Sequence, residues 1–197
     1  MRLVLASSSP RRRELLSAAG FEFDVMEADI DERVRPGEDP ELYVRRMAVE
    51  KADAVRTRAE GRTILAADTV VIVDGDVLGK PGDNDTAVKM LTRLSGREHE
   101  VLTAVALWGE GDAEPDVTVE LTRVWMREIP PDEIAAVVAT GEPLDRAGAY
   151  AIQGLASRWV IRIDGSYGTV VGLPVEAVDR LLRARPAGAY PIGRDEG

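Results

Sequence analysis

Apolar positions along the chain change period repeatedly, from short unbroken runs to helical spacing and back. Residues 3–6 form an apolar run that reads as a short buried strand, and a helix is predicted from residue 10 to about 19, stopped by Gly20. A second strand is expected at 21–26. From 39 to about 59 the apolar residues recur at helical spacing, and Gly61 ends the pattern. Residues 63–73 are a strongly apolar strand with Asp68 inside it, and Asp74-Gly75 marks a hairpin that returns through Val77 and Leu78 to Gly79-Lys80-Pro81. A helix over 85–94 is closed by Ser95-Gly96, and strands at 101–107 and 117–126 pair across an acidic, glycine-containing loop. A helix at 131–139, strands at 159–163 and 169–171, and a last helix opened by Pro174 and ending near 184 complete the pattern. The sum is a mixed α/β fold in a single domain over 1–185. The segment 186–197 carries little that could pack and is expected to be a mobile tail.

Composition narrows the function. The 197 residues suit one domain, and the net charge of −10 argues against nucleic-acid binding while leaving room for a local basic pocket. With no cysteine, a disulfide framework, a thiolate nucleophile and a zinc–thiolate site are excluded. One histidine, His99, makes neither a Ser-His-Asp triad nor a multi-histidine metal site; between Glu98 and Glu100 it reads as a surface residue. No apolar run approaches 18 residues, and the first helix starts too early for a signal peptide, so no membrane association and a cytoplasmic location are expected.

Four places break the pattern. In LASSSPRRREL, residues 5–15, Ser9 is a hydroxyl N-cap and Pro10 takes the first helical position. A strand running into a helix N-terminus is a ready anion site. Arg11 and Arg12 oppose the helix dipole there by roughly 0.3–1 kcal/mol each, a cost that makes sense if their guanidinium groups hold phosphate. The other reading is a solvated basic turn paired with Glu14. Lys51 falls near the centre of the stripe formed by Val44, Met47, Ala48, Ala52 and Val55, so it either snorkels to the core edge or points into a cleft. Asp68, in an otherwise apolar strand, needs a cation or metal beside it. A structural ion pair or a bulge would account for it, and a functional carboxylate is favoured. The stretch 75–81 is not a phosphate-binding Walker loop: three residues separate its glycines and proline replaces the magnesium-binding hydroxyl. It is a tight turn that aims Lys80.

Taken in order, LASSSPRR at 5–12, Asp31-Glu32, EKA at 50–52, AADTVV at 66–71, GKP at 79–81, EPLDRAGAYAIQG at 142–154 and GSYGTVVGLP at 165–174 resemble the Maf-like nucleotide pyrophosphatases. These are related in fold to the inosine triphosphate pyrophosphatases. The resemblance implies a mixed twisted sheet with flanking helices, in two lobes around a nucleotide cleft. It implies hydrolysis of a nucleoside triphosphate to the monophosphate and pyrophosphate by water attack at the α-phosphorus. Asp68 would be catalytic, as base or as metal ligand, with Ser9, Arg11, Arg12, Lys51 and Lys80 around the triphosphate and Glu32 as a further metal ligand. The implied cofactor is a divalent cation, magnesium first and manganese second.

Arg11, Thr69 and Gln153 match the branch of the family acting on dTTP and UTP, rather than the branch acting on 7-methyl-GTP. Arg146, where that branch commonly has lysine, and Ala151, where it has glycine, depart from it. A homodimer is implied too, with Val119, Leu121 and Trp125 as apolar strand residues of unassigned burial. The family name carries a second reading, a regulator of septum formation acting through a protein partner with nucleotide as a ligand. The set of cations around Asp68 speaks against it.

Overall fold

A computed structural model describes residues 2–185; the expected tail, 186–197, lies outside the described residues. The strands are β1 (Leu3–Leu5), β2 (Phe23–Val25), β3 (Ile64–Val73), β4 (Asp76–Leu78), β5 (Glu98–Trp108), β6 (Asp116–Met126) and β7 (Val160–Asp164). The helices are α1 (Pro10–Ala18), α2 (Pro40–Val55), α3 (Asn84–Leu94), α4 (Pro131–Val138), α5 (Tyr167–Val171) and α6 (Val175–Arg183). Seven strands form one mixed sheet in the order β2-β1-β3-β5-β6-β7, with β4 paired to β3. β1 lies parallel to β2 and β3, whereas β3–β4 and β6–β7 are antiparallel.

Contacts divide the described residues into two compact units, one holding 2–68, 103–120 and 172–185, the other holding 69–102 and 121–171. In the first unit, strand parity sorts the core into two layers, because successive side chains leave a strand on opposite faces. Leu3, Leu5, Leu65, Ala67, Val105 and Leu107 pack with Leu16 of α1 and Val178 and Leu182 of α6. Val4, Ala6, Ile64, Ala66 and Trp108 pack with Ala52 and Val55 of α2. In the second unit, α3 packs on α4 and on short 3-10 turns between residues 142 and 149.

Local sequence explains the boundaries. Asp39 caps α2, accepting from the backbone N–H of Glu41 at 2.9 Å and of Leu42 at 3.2 Å, and Pro40 occupies the first turn. Such a cap stabilises a helix by about 1 kcal/mol. The two-residue hairpin between β3 and β4 has Asp74 at φ 54° and Gly75 at φ 82°, the paired positive values that the tight turn requires.

Three expectations are corrected. α2 stops at Val55 rather than near 59; Arg58 already bonds back three residues to Val55, and Ala59 is buried from a turn. Residues 169–171 end helix α5 instead of forming a strand. The β preference of Thr and Val measures fit to a pleated half-buried surface, and here a single helical turn buries Thr169 and Val171. The third concerns His99. It is 2% exposed, with Nε2 2.7 Å from the Tyr150 hydroxyl, and burial lowers its pKa to about 4. The flanking glutamates that suggested a surface are the outward half of a strand alternation, with His99 on the inward half.

Candidate active site

Asp68 is the fifth residue of β3, and it shares the strand face of Ile64 and Ala66, the face covered by α2. Lys51 projects from that helix in the same stripe as Val55. The parity of the strand and the period of the helix bring the two charges together. Lys51 Nζ lies 2.7 Å from Asp68 Oδ1 and 2.6 Å from Glu32 Oε1. Lys51 is 8% exposed and Asp68 7%, so the pair is buried, whereas the Glu32 side chain is 43% exposed. Each charge is matched by the others, which is the condition for keeping ions out of water.

Arg12 closes the same group. It is buried, its Nε donates to the Gly172 carbonyl at 2.8 Å, and Nη1 reaches Ser7 Oγ at 3.5 Å. Burial pulls its pKa down, and the charges of Asp68 and Glu32 act in the opposite direction. Ser9 holds the N-cap backbone position of α1, yet its hydroxyl makes no cap bond. Ser7 does the shaping instead: its Oγ accepts the Ser9 N–H at 3.1 Å. No acidic residue stands in the first turn of α1, and Arg11 beside it is half-buried.

The segment bearing Glu32 is pinned from α2 by two residues that sequence reasoning missed. Tyr43 donates its hydroxyl to the Glu32 carbonyl at 2.8 Å, and burial, followed by the charges of Asp68 and Glu32, raises its pKa. Arg46 forks onto Glu38, Nε to Oε1 at 2.6 Å and Nη2 to Oε2 at 2.7 Å, and bonds the Arg33 carbonyl at 3.2 Å. Tyr43 stands four residues before Met47 in the apolar stripe, a position that marks it as inward-facing but not what its hydroxyl meets.

The Arg46 fork holds the Glu38 carboxyl down, to about 2. A carboxyl with a depressed folded pKa contributes stability that is present above its unfolded value near 4.5 and lost as pH falls through about 2. Glu38→Gln is therefore expected to melt below wild type at pH 7, with the gap closing as pH drops from about 4.5 towards 2. Thermal melts across that range check it, and a gap that persists at pH 2 would contradict the linkage.

The remaining predicted nucleotide-contacting residues lie in the second unit. Thr69 follows Asp68 along β3 and is half-buried; Lys80 is exposed in the segment after β4, which is not a regular turn; Gln153 is exposed beyond the 3-10 turns. Arg146 is half-buried, and its Nε is buried without a hydrogen-bond partner among the described residues. Of the three residues named for a dimer, Leu121 is exposed, Val119 is half-buried, and Trp125 carries the Arg162 guanidinium 4.5 Å from its ring centre.

The family model described as Maf-like protein matches residues 2–185, nearly the whole chain. The chain belongs to the Maf-like family. A relative from Syntrophomonas wolfei, named dTTP/UTP pyrophosphatase, is 50% identical over 181 residues, covering 92% of this chain and 96% of its own. Relatives of the same name from Geobacter metallireducens and Hahella chejuensis are 50% and 52% identical, over 94% and 88% of this chain and 97% and 87% of theirs. The Ham1 protein of Staphylococcus aureus matches at 18% identity and a TM-score of 0.45 over 64% of this chain and 72% of that one, too distant a likeness to carry an argument. Among the described residues of this Maf-like chain, no helix is long and apolar enough to cross a membrane.

The same residues bear on a divalent cation. Two carboxylate oxygens, from Asp68 and Glu32, converge on one positive centre, now the Lys51 ammonium. Among the described residues no group of three or more acidic or histidine side chains could hold an ion by itself. This donor set fits a hard divalent cation that binds through one or two carboxylates and takes its remaining ligands from phosphate and water.

Proposed function

We propose that this chain hydrolyses dTTP and UTP to the nucleoside monophosphate and pyrophosphate. The observation that carries the proposal is identity of about half, along nearly the full length, to relatives named for that activity. In the proposed reaction the oxygen of a water molecule bonds to the α-phosphorus as the bond to the bridging oxygen breaks, and pyrophosphate leaves. Asp68 takes the proton from the attacking water. Lys51, bonded to Asp68 Oδ1, fixes the orientation of that carboxylate. Arg11 and Arg12 hold phosphate oxygens at the start of α1, where positioning and charge stabilisation supply most of the catalysis. A bound magnesium ion, held by Asp68 and Glu32, would neutralise phosphate charge. Lys80 is proposed as a further phosphate-holding residue, and Thr69 and Gln153 as readers of the pyrimidine.

The test is incubation with dTTP, UTP, CTP and 7-methyl-GTP plus magnesium, following pyrophosphate. Release from dTTP and UTP above the others is expected; a preference for 7-methyl-GTP, or no release at all, would overturn the proposal.

Arg11 separates ligand-holding from structural roles. Arg11→Ala is expected to leave the free protein within a few tenths of a kcal/mol of wild type, since the dipole disfavours a cation there. It should weaken substrate use by about 1.5–3 kcal/mol of charge-assisted hydrogen bonding. The readouts are kcat/KM for dTTP and the thermal shift given by a non-hydrolysable analogue. Destabilisation of the free protein by more than about 1 kcal/mol with an unchanged ligand shift would make the arginine structural.

A further inference from the structure

The segment AGAY, residues 147–150, is buried from Gly148 to Tyr150 and runs through an unfavourable backbone. Gly148 has φ 65° and Ala149 has φ 62°, two successive residues in the left-handed region. A Cβ at position 148 would come within 2.9 Å of the Val71 side chain, so glycine is required there on two counts. Ala149 has no such licence. A non-glycine residue persists in that region only where its surroundings hold it.

Beside a local bond from the Ala149 N–H to the Arg146 carbonyl at 3.0 Å, two bonds tie the segment to distant parts of the chain. The Gly148 N–H donates to the carbonyl of Gly79, at 3.1 Å. Gly79 is the residue immediately before Lys80. Two positions further on, the Tyr150 hydroxyl meets His99 Nε2 of β5 at 2.7 Å, with the rings edge to face and centroids 5.4 Å apart. Gln153 follows three residues after Tyr150. All of these residues belong to the second unit. One strained segment is thus tied at one end to the backbone beside Lys80 and at the other to the sheet, just ahead of Gln153.

We infer that Tyr150, gripped by His99, is a positioning residue that fixes the segment linking the Gly79-Lys80 backbone to Gln153 and so sets the fit of the pyrimidine nucleotide. The inference rests on the roles proposed above for Lys80 and Gln153. His99 acts through Tyr150 and touches no substrate. Its strand supplies a rigid base, and the hydroxyl–imidazole bond sets where the segment leaves the core. Losing that bond frees the left-handed pair to relax, which loosens the Gly148–Gly79 bond and moves both side chains.

The experiment uses the full chain with Tyr150→Phe, His99→Leu and His99→Gln. Tyr150→Phe and His99→Leu are each expected to raise KM for dTTP and UTP about tenfold, with kcat changed less than about threefold. The preference for dTTP over CTP should narrow, and the double variant should be no worse than either single one, because both remove one interaction. Glutamine at 99 offers a polar atom near the place of Nε2 and should restore most of the loss. Hydrogen exchange of the Gly148 amide, which needs no substrate, should rise at least about tenfold in Tyr150→Phe while the amides of β5 keep their protection.

Unchanged Gly148 exchange would overturn the inference. So would an equal fall in kcat/KM for every nucleotide at constant KM, or a glutamine variant no better than the leucine one. A wild-type protein inactive on dTTP and UTP, with Gly148 exchange still accelerated in Tyr150→Phe, would overturn the proposed activity and leave the anchoring supported.

Discussion

Asp68→Asn is expected to lose pyrophosphate release from dTTP by about 10²–10⁴-fold, the range that a positioned proton acceptor contributes. The substitution is nearly isosteric, and Lys51 keeps Glu32 as a partner at 2.6 Å. Folding should therefore suffer by only about 1–2 kcal/mol, the cost of weakening one charge-assisted hydrogen bond. Nucleotide should bind as well or better, since one negative charge near the phosphates is gone. Steady-state kinetics and the thermal shift given by dTTP, measured on the same preparation, separate the two effects. Turnover within threefold of wild type would remove Asp68 from the chemistry.

Lys51→Met should produce the largest loss of stability. It leaves Asp68 buried without the ammonium 2.7 Å away, with Arg12 still nearby, and breaking a buried ion pair by removing one partner costs about 3–5 kcal/mol. Glu32 can turn its exposed side chain towards water, so the penalty falls chiefly on Asp68. With the ammonium gone, the two carboxylates are open to another cation. Magnesium is therefore expected to raise the melting temperature of Lys51→Met more than that of wild type, as binding to the folded state requires. Activity should fall along with stability. A variant that melts like wild type, with or without magnesium, would contradict the pairing.

Asp68 and Lys51 were each legible as a charge out of place, but that they pair with one another is shown by the geometry. A charge in an apolar strand and a charge in an apolar helical stripe each ask for a partner, and each is the other's answer. What the local pattern lacked was any sign of bonds made across the chain. Arg12 was readable as a cation at a helix start; its bond to the Gly172 carbonyl, 160 residues on, was not. Ser9 carried the cap signature, yet Ser7 makes the bond that shapes the turn, because a hydroxyl is useful only where a donor meets it. Tyr43 and Arg46 act on backbone carbonyls of the Glu32 segment, acceptors that every residue has and no sequence marks. His99 is different. Its burial was written in the Glu-His-Glu alternation and was outweighed by the charge of its neighbours.

The bond from Arg12 to Gly172 has a consequence for how the molecule is made. Leu3, Leu5 and Leu16 share their core layer with Leu173, Val178 and Leu182, residues that a ribosome adds more than 150 positions later. During synthesis the first strand and helix emerge with that layer open on one side, and Arg12 emerges without its acceptor. Domains fold as units when their parts are all present. This chain therefore cannot complete its charged centre until residue 172 has been made, and fragments ending before Gly172 should be inactive and prone to capture by chaperones.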